Sequence, residues 1–326
     1  MSDTKNNDDQ NQRVGPDGIP AKELTPQKLD NINANPVPDV ILYPDEPKVT
    51  DTLPDVTPVA DFASRAPDRQ KHRLGYIKDK KDSRDKTFKL PPLLCEAITP
   101  LPPTYDLRTT GNLPTVYDQG DLGSCVAQAT AALLYFLDKN LPDKDAYPDV
   151  QRSRLHIYYN ARLIEKTVAS DDGCMIRDAF KGLHLYGVAP ETDWPYVASR
   201  FADAPPQAVT DLGEKLIEYK RVTRSIDGVK TAVAAGYPVV VGLTVYDSFE
   251  GAQASSTGLV PMPNRRREEV LGGHAVLIVG YNDVKKLFTV RNSWGDSWGD
   301  HGYFYLPYDY IKSASLASDF WTATRF

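Results

Sequence analysis

From Cys125 to Lys139 the chain reads CVAQATAALLYFLDK, apolar almost all round, with no proline or glycine until Pro142. A helix without a polar face is stable only when the rest of the protein covers it. The fold must therefore be wrapped around this segment, and 326 residues suffice for one large domain with a tail or two modest ones.

Two more helical patterns follow, at Gln151–Lys166 and Ile176–Tyr186, the second stopped by Gly187 and Pro190. Past Tyr237 the period changes. YPVVVGLTVY, HAVLIVGYN and LFTVRNSW are short runs rich in valine and aromatics, split by turns such as NDVKK at 282–286, which predicts antiparallel strands. A helical half followed by a β half makes an α+β domain with a cleft between the halves, a place where ligands bind.

Upstream, 15 of the 26 prolines fall in the first 103 residues, a stretch without tryptophan. Residues 1–100 read as a Pro- and Asp-rich leader, extended or poorly ordered unless another surface holds it; 101–326 read as the folded domain. LGYIKDKKDSRDKTF, from Leu74 to Phe88, has apolar anchors at both ends of a charged run, suiting either an arm laid across the domain or a solvated linker. The net charge of −6 is spread along the chain and argues for neither nucleic acid nor membrane as partner. Three cysteines, no apolar signal-like stretch at the start and no membrane-length apolar run favour a reducing compartment, cytoplasmic or virion-associated.

Cys125 stands where the buried helix begins, after the turn-forming QGDLGS. A thiol attacks carbonyls as thiolate, and free N–H groups at a helix N-terminus favour that anion. Taken alone, such a cysteine is more often structural. The companions change the balance: His274 follows a glycine pair in GGHAVLIVGYN, leaving its ring room to face a cleft, and Asn292 in RNSWGDSWGDHGY falls on the neighbouring strand, within reach of the imidazole.

QGDLGSC, GGHAVLIVGYN and RNSWGDSWGDHGY, in this order, resemble the three active-site blocks of papain-like, cathepsin-type cysteine peptidases of family C1. The resemblance covers about Leu101 to the C-terminus. It implies a two-lobed fold, a helical lobe facing an antiparallel, β-barrel-like one. It also implies an endopeptidase that works through a thioester, needs no cofactor or metal, and acts on peptide or protein substrates. Cys125 would be the nucleophile, His274 the base and acid, Asn292 its orienting partner, and Gln119 an oxyanion donor. Trp294 would cover the His274–Asn292 pair. Gly173 and Cys174, in DDGCMIRDAF, would pair with an extended substrate beside its P2 and P3 residues, and Gly273 would border the cleft; Val241, Gly242, Ala317 and Ser318 are candidate subsite walls.

The chain departs from the family's exported members. Leu122 stands where they carry a disulfide-forming cysteine, Val126 replaces an aromatic residue, and the leader lacks a long helical propeptide pattern. It looks like a bacterial or viral branch, and the expectation is that residues within about 40–100 cross the cleft in cis and keep a zymogen latent. Cys95 reads as a surface or packing cysteine, with a redox latch as the alternative. His72, His156, His184 and His301 lack metal-like spacing and read as surface or packing residues; Tyr158, Tyr159 and Tyr186 read as core. An exopeptidase, a ligase, or a catalytically silent scaffold of the same fold remain the competing readings.

Overall fold

The computed structural model describes residues 72–140, 150–216 and 218–325; the leader before His72, including Phe62, lies outside them. The expected helix runs Cys125–Asn140, with twelve of its sixteen residues buried, even Gln128 and Thr130. It is packed against the helices Arg154–Glu165 and Ile176–Tyr186 on one side and the sheet on the other. Ser153 caps the first of these by accepting from His156 N, and Lys166 closes it in the left-handed conformation. Tyr158 is core; Tyr159 is half-buried and Tyr186 exposed, because the helices turn only one stripe inward.

Nine strands are described: β1 (Tyr76–Ile77), β2 (Thr104–Asp106), β3 (Cys174–Met175), β4 (Glu218–Arg221), β5 (Val239–Tyr246), β6 (Val270–Asn282), β7 (Leu287–Arg291), β8 (Tyr303–Pro307) and β9 (Ala317–Arg325). The main sheet has the order β4-β9-β5-β6-β7-β8, with β2 also on β6. Every pairing in it is antiparallel, and among the described residues its ends do not meet, so the β lobe is an open sheet. This is an α+β fold of two lobes, with helix Cys125–Asn140 between them.

β6 is longer than expected, and His274 lies inside it opposite Leu243, not at its start. β7 pairs Arg291 with Leu277 and ends there, so Asn292 is the first residue beyond the strand. Continuing that register by one residue sets Asn292 level with Val276, one same-face step from His274.

From His72 on, the leader packs as part of the domain. β1 pairs in parallel with β3, Tyr76 opposite Cys174. Phe88 enters the core against Tyr237, and its N–H donates to Arg221 O.

Candidate active site

Cys125 and His274 are both fully buried. The imidazole is fixed at one nitrogen: Nε2 lies 2.7 Å from Asn292 Oδ1. Ser293 N–H donates to the same Oδ1, which identifies that atom as the oxygen and therefore Nε2 as the protonated nitrogen. Nδ1 then carries the lone pair, and it has no hydrogen-bond partner. This is the tautomer a base needs if it is to take a proton from a thiol. Trp294 stacks on the ring with centroids 4.5 Å apart, and Phe249 and Trp298 meet the indole edge-on.

Gln119 is 1% exposed and held from three directions. Its backbone N–H donates to Ser293 O, its Oε1 accepts from Ser293 Oγ at 2.7 Å, and its carbonyl accepts from the Tyr196 hydroxyl. Those contacts aim Nε2 outward, where it donates to Leu122 O and to Arg73 O of the leader, both at 2.9 Å. A side-chain amide fixed this way is suited to a developing oxyanion.

The leader lies on the reactive atoms. Gly75 N–H, together with the amides of Ala275 and Val126, is directed at Cys125 Sγ, and Gly75 O accepts from Cys174 N at 2.9 Å. The approach is close enough to exclude side chains. A Cβ on Gly75 would stand 1.9 Å from Gly123 O, one on Gly173 (φ +84°) 2.0 Å from Gly75 O, and one on Gly273 2.2 Å from Tyr76 O. The Tyr76 ring packs over Gly242, and its hydroxyl donates to Asp319 and meets Ser318 Oγ at 2.7 Å. Of the four candidate walls, Gly242 and Ser318 touch the leader; Val241 and Ala317 are buried. Cys174 contributes its backbone, while its thiol is fully buried and pushed well up by that burial and by the charge of Glu165.

Burial under the leader reverses the electrostatics expected for Cys125. The helix N-terminus was expected to lower the thiol, yet desolvation pushes it up to about 11 against the pull of the surrounding N–H groups. Desolvation also pushes His274 down to about 4, although Asn292 favours the imidazolium. Covered, the thiol and the imidazole are thus both neutral.

Several residues at this centre carry no sequence signal. His72, read as surface or packing, lies flat on the second face of Trp294, centroids 4.1 Å apart and planes within 5°, and its Nδ1 is 2.8 Å from Glu250 Oε2. Asp171 accepts from Gly123 N and the Tyr158 hydroxyl, and that hydroxyl accepts in turn from Gly173 N, tying the glycine loop to the turn before Cys125. Farther along, Asp79 accepts from Arg177 N, Trp321 Nε1 and Arg221, and its own N–H donates to Asp319. Asp85 pairs with both Arg177 and Arg221. His156 accepts from Ala189 N and His184 meets Leu216 O. Among the described residues no group of three or more His, Cys, Asp or Glu is placed to hold a metal, and Cys95 is exposed and unbridged.

The family model described as papain family cysteine protease matches residues 101–324. An uncharacterized peptidase C1-like protein of Acanthamoeba polyphaga mimivirus is 37% identical over 275 residues, 76% of this chain and 85% of its own. Xylellain, a cysteine protease from Xylella fastidiosa, superimposes with a TM-score of 0.70 at 38% identity, over 81% of this chain and 100% of its own. The proform of the ragweed pollen protease Amb a 11 gives 0.56 at 25% identity, over 71% and 68%. With its fold like that of the two solved structures and its sequence matched by the family model, the chain belongs to the papain family of cysteine proteases, on its bacterial and viral side, and is a hydrolase.

Proposed function

We propose that this protease is an endopeptidase acting through Cys125, His274 and Asn292, with Gln119 in the oxyanion hole, and that it is made latent, its own leader lying in the cleft. The observation that carries this reading is the imidazole held at Nε2 by Asn292, with its Nδ1 lone pair unengaged, while the N–H of the next residue, Ala275, lies 3.4 Å from the thiol at a helix N-terminus.

Uncovered, the site would run an acyl transfer. His274 Nδ1 takes the thiol proton, Sγ attacks the peptide carbonyl carbon, and the tetrahedral oxyanion is met by Gln119 Nε2 and the Cys125 N–H. The C–N bond breaks as His274 returns the proton to the leaving amine. Water, deprotonated by His274, then attacks the thioester and the thiol is released.

Covered, the same groups are occupied. Gly75 offers Sγ an N–H and not a carbonyl carbon, and Gln119 Nε2 is taken by Arg73 O. The similarity to a proform adds support for latency. Deleting everything before Leu101 would also strip Phe88 from the core, so a point change is the better test. Gly75→Val in the full-length chain places a branched side chain against Gly123 O and should expel the strap. The wild type, Gly75→Val and Gly75→Val/Cys125→Ala would be compared for labelling by an epoxide inhibitor and for cleavage of quenched peptides. Labelling and cleavage in Gly75→Val alone are expected. A folded Gly75→Val protein that takes up no label would sink the assignment and favour the silent scaffold; label without cleavage would leave the thiol chemistry standing and mean that the peptides are of the wrong class.

A further inference from the structure

Glu250 is 3% exposed, and among the described residues its carboxylate meets one partner, His72 of the leader, through Nδ1 at 2.8 Å and the backbone N–H at 3.4 Å. It closes the 3-10 turn Asp247–Glu250 and follows Phe249, which packs against Trp294, Trp298 and Phe304. On the same turn, Asp247 Oδ1 is buried without a partner. When the strap leaves, Glu250 loses its partner beside an aromatic wall. A buried carboxylate in that condition is costly until a donor replaces the one lost.

We infer that Glu250 selects a positively charged side chain, arginine above lysine, on the substrate residue that follows the cleaved bond. This rests on the peptidase reading and deepens it. The Cys174 end of the cleft, where Gly75 O and Tyr76 lie, is the acyl side on that reading. His72, three residues from the N–H at Sγ, is at the opposite end, on Trp294, whose other face covers the imidazole that must protonate the leaving amine. The imidazole of His72 marks the shape of the ligand: a flat, nitrogen-bearing group parallel to the indole, with an N–H toward the carboxylate. A guanidinium meets both demands, stacking on the ring and offering paired N–H donors, whereas an ammonium meets only the charge. A carboxylate side chain would face Glu250 and be rejected.

The test uses full-length Gly75→Val protein and quenched peptides differing only in the residue after the cleaved bond: Arg, Lys, Ala or Glu. The Arg peptide should exceed Ala by about tenfold in kcat/KM, most of it in KM, with Glu lowest. In Gly75→Val/Glu250→Gln the Arg-to-Ala ratio should fall to near one, and Glu250→Lys should raise Glu over Arg. Equal rates for Arg and Ala in the parent, or a preference that survives Glu250→Gln, overturn the proposal while leaving the peptidase reading intact. A folded protein in which Cys125 takes up no label and no peptide is cleaved overturns both.

Discussion

The strap is held in two different ways along its length. Over the reactive atoms, His72–Ile77 is bound chiefly by backbone, Gly75 against Gly123 and Gly173, Arg73 O on Gln119 and Gly75 O on Cys174 N, with the side chains of His72, Arg73 and Tyr76 on Glu250, Asp171 and Asp319 beside it. Beyond it, Asp79–Phe88 is bound by charge, with Asp79 and Asp85 on Arg221 and Asp79 also on the Trp321 N–H. The first stretch depends most on absent side chains, with the ion pairs His72–Glu250 and Arg73–Asp171 at its N-terminal end. The second depends on ionisation, so pH and salt should act there. On the proposed function, the surface that would read a substrate backbone is filled by the leader's own, while the anchor decides how firmly it stays.

Gln119→Ala separates occupancy from chemistry, since its amide donates to the leader when covered and, on the proposed mechanism, to the oxyanion when open. In the Gly75→Val background it should lower kcat about 10²- to 10³-fold, read from initial rates on a quenched peptide. Gly75→Val alone should raise the rate of epoxide labelling about a hundredfold if covering shifts the open population by that factor; an unchanged rate would mean that backbone contact is not what holds the cleft closed. Arg221→Ala, which leaves Asp79, Asp85 and Asp319 facing one another, should speed labelling about tenfold, discounted because the guanidinium is partly exposed. Raising salt to about 1 M should mimic a fraction of that change in the wild type and less of it in Arg221→Ala, where the remaining pairs are Arg177–Asp85 and Arg73–Asp171.

Smallest is the pH effect, which has opposing parts. The thiol, raised to about 11 by burial, favours the covered state below its ordinary value of 9.0, and that advantage is lost as pH climbs through 11. His274, lowered to about 4, favours covering above 6.5, and its contribution fades as pH falls through 4. Asp79 is raised to about 6 by burial and the nearby Asp319 charge, so it favours covering below 3.8 and loses that effect as pH rises through 6. Between pH 4 and 6.5 the histidine and the aspartate therefore oppose each other. Asp79→Asn should leave the histidine alone, and labelling should then quicken steadily from pH 6.5 to 4; a profile unchanged from wild type would show that Asp79 is not titrating on docking.

Much of the site was readable because its parts are local. A glycine-rich turn before an all-apolar helix places a cysteine at an N-terminus, and Gly-Gly-His in a valine-rich strand and Asn-Ser-Trp after a hairpin are each contained in a few residues. The precise place of His274 within β6 was not readable, because the strand extends upstream through Val270–Gly273 on the strength of its pairing with β5, not of its composition. His72 and Glu250 left no trace either. They are 178 positions apart, and neither belongs to a motif.

The amino-acid sequence by itself determined the α+β order, the buried helix and the residue types that chemistry requires at three separated places, since period and turn chemistry act over a few neighbours. Only the tertiary structure decided that His72–Ile77 lies on Sγ, that Asp79 and Asp85 share Arg221, and that burial outweighs the helix N-terminus at the thiol. Those outcomes depend on which surfaces meet and how much water they expel. Neither quantity is a property of any short stretch of chain.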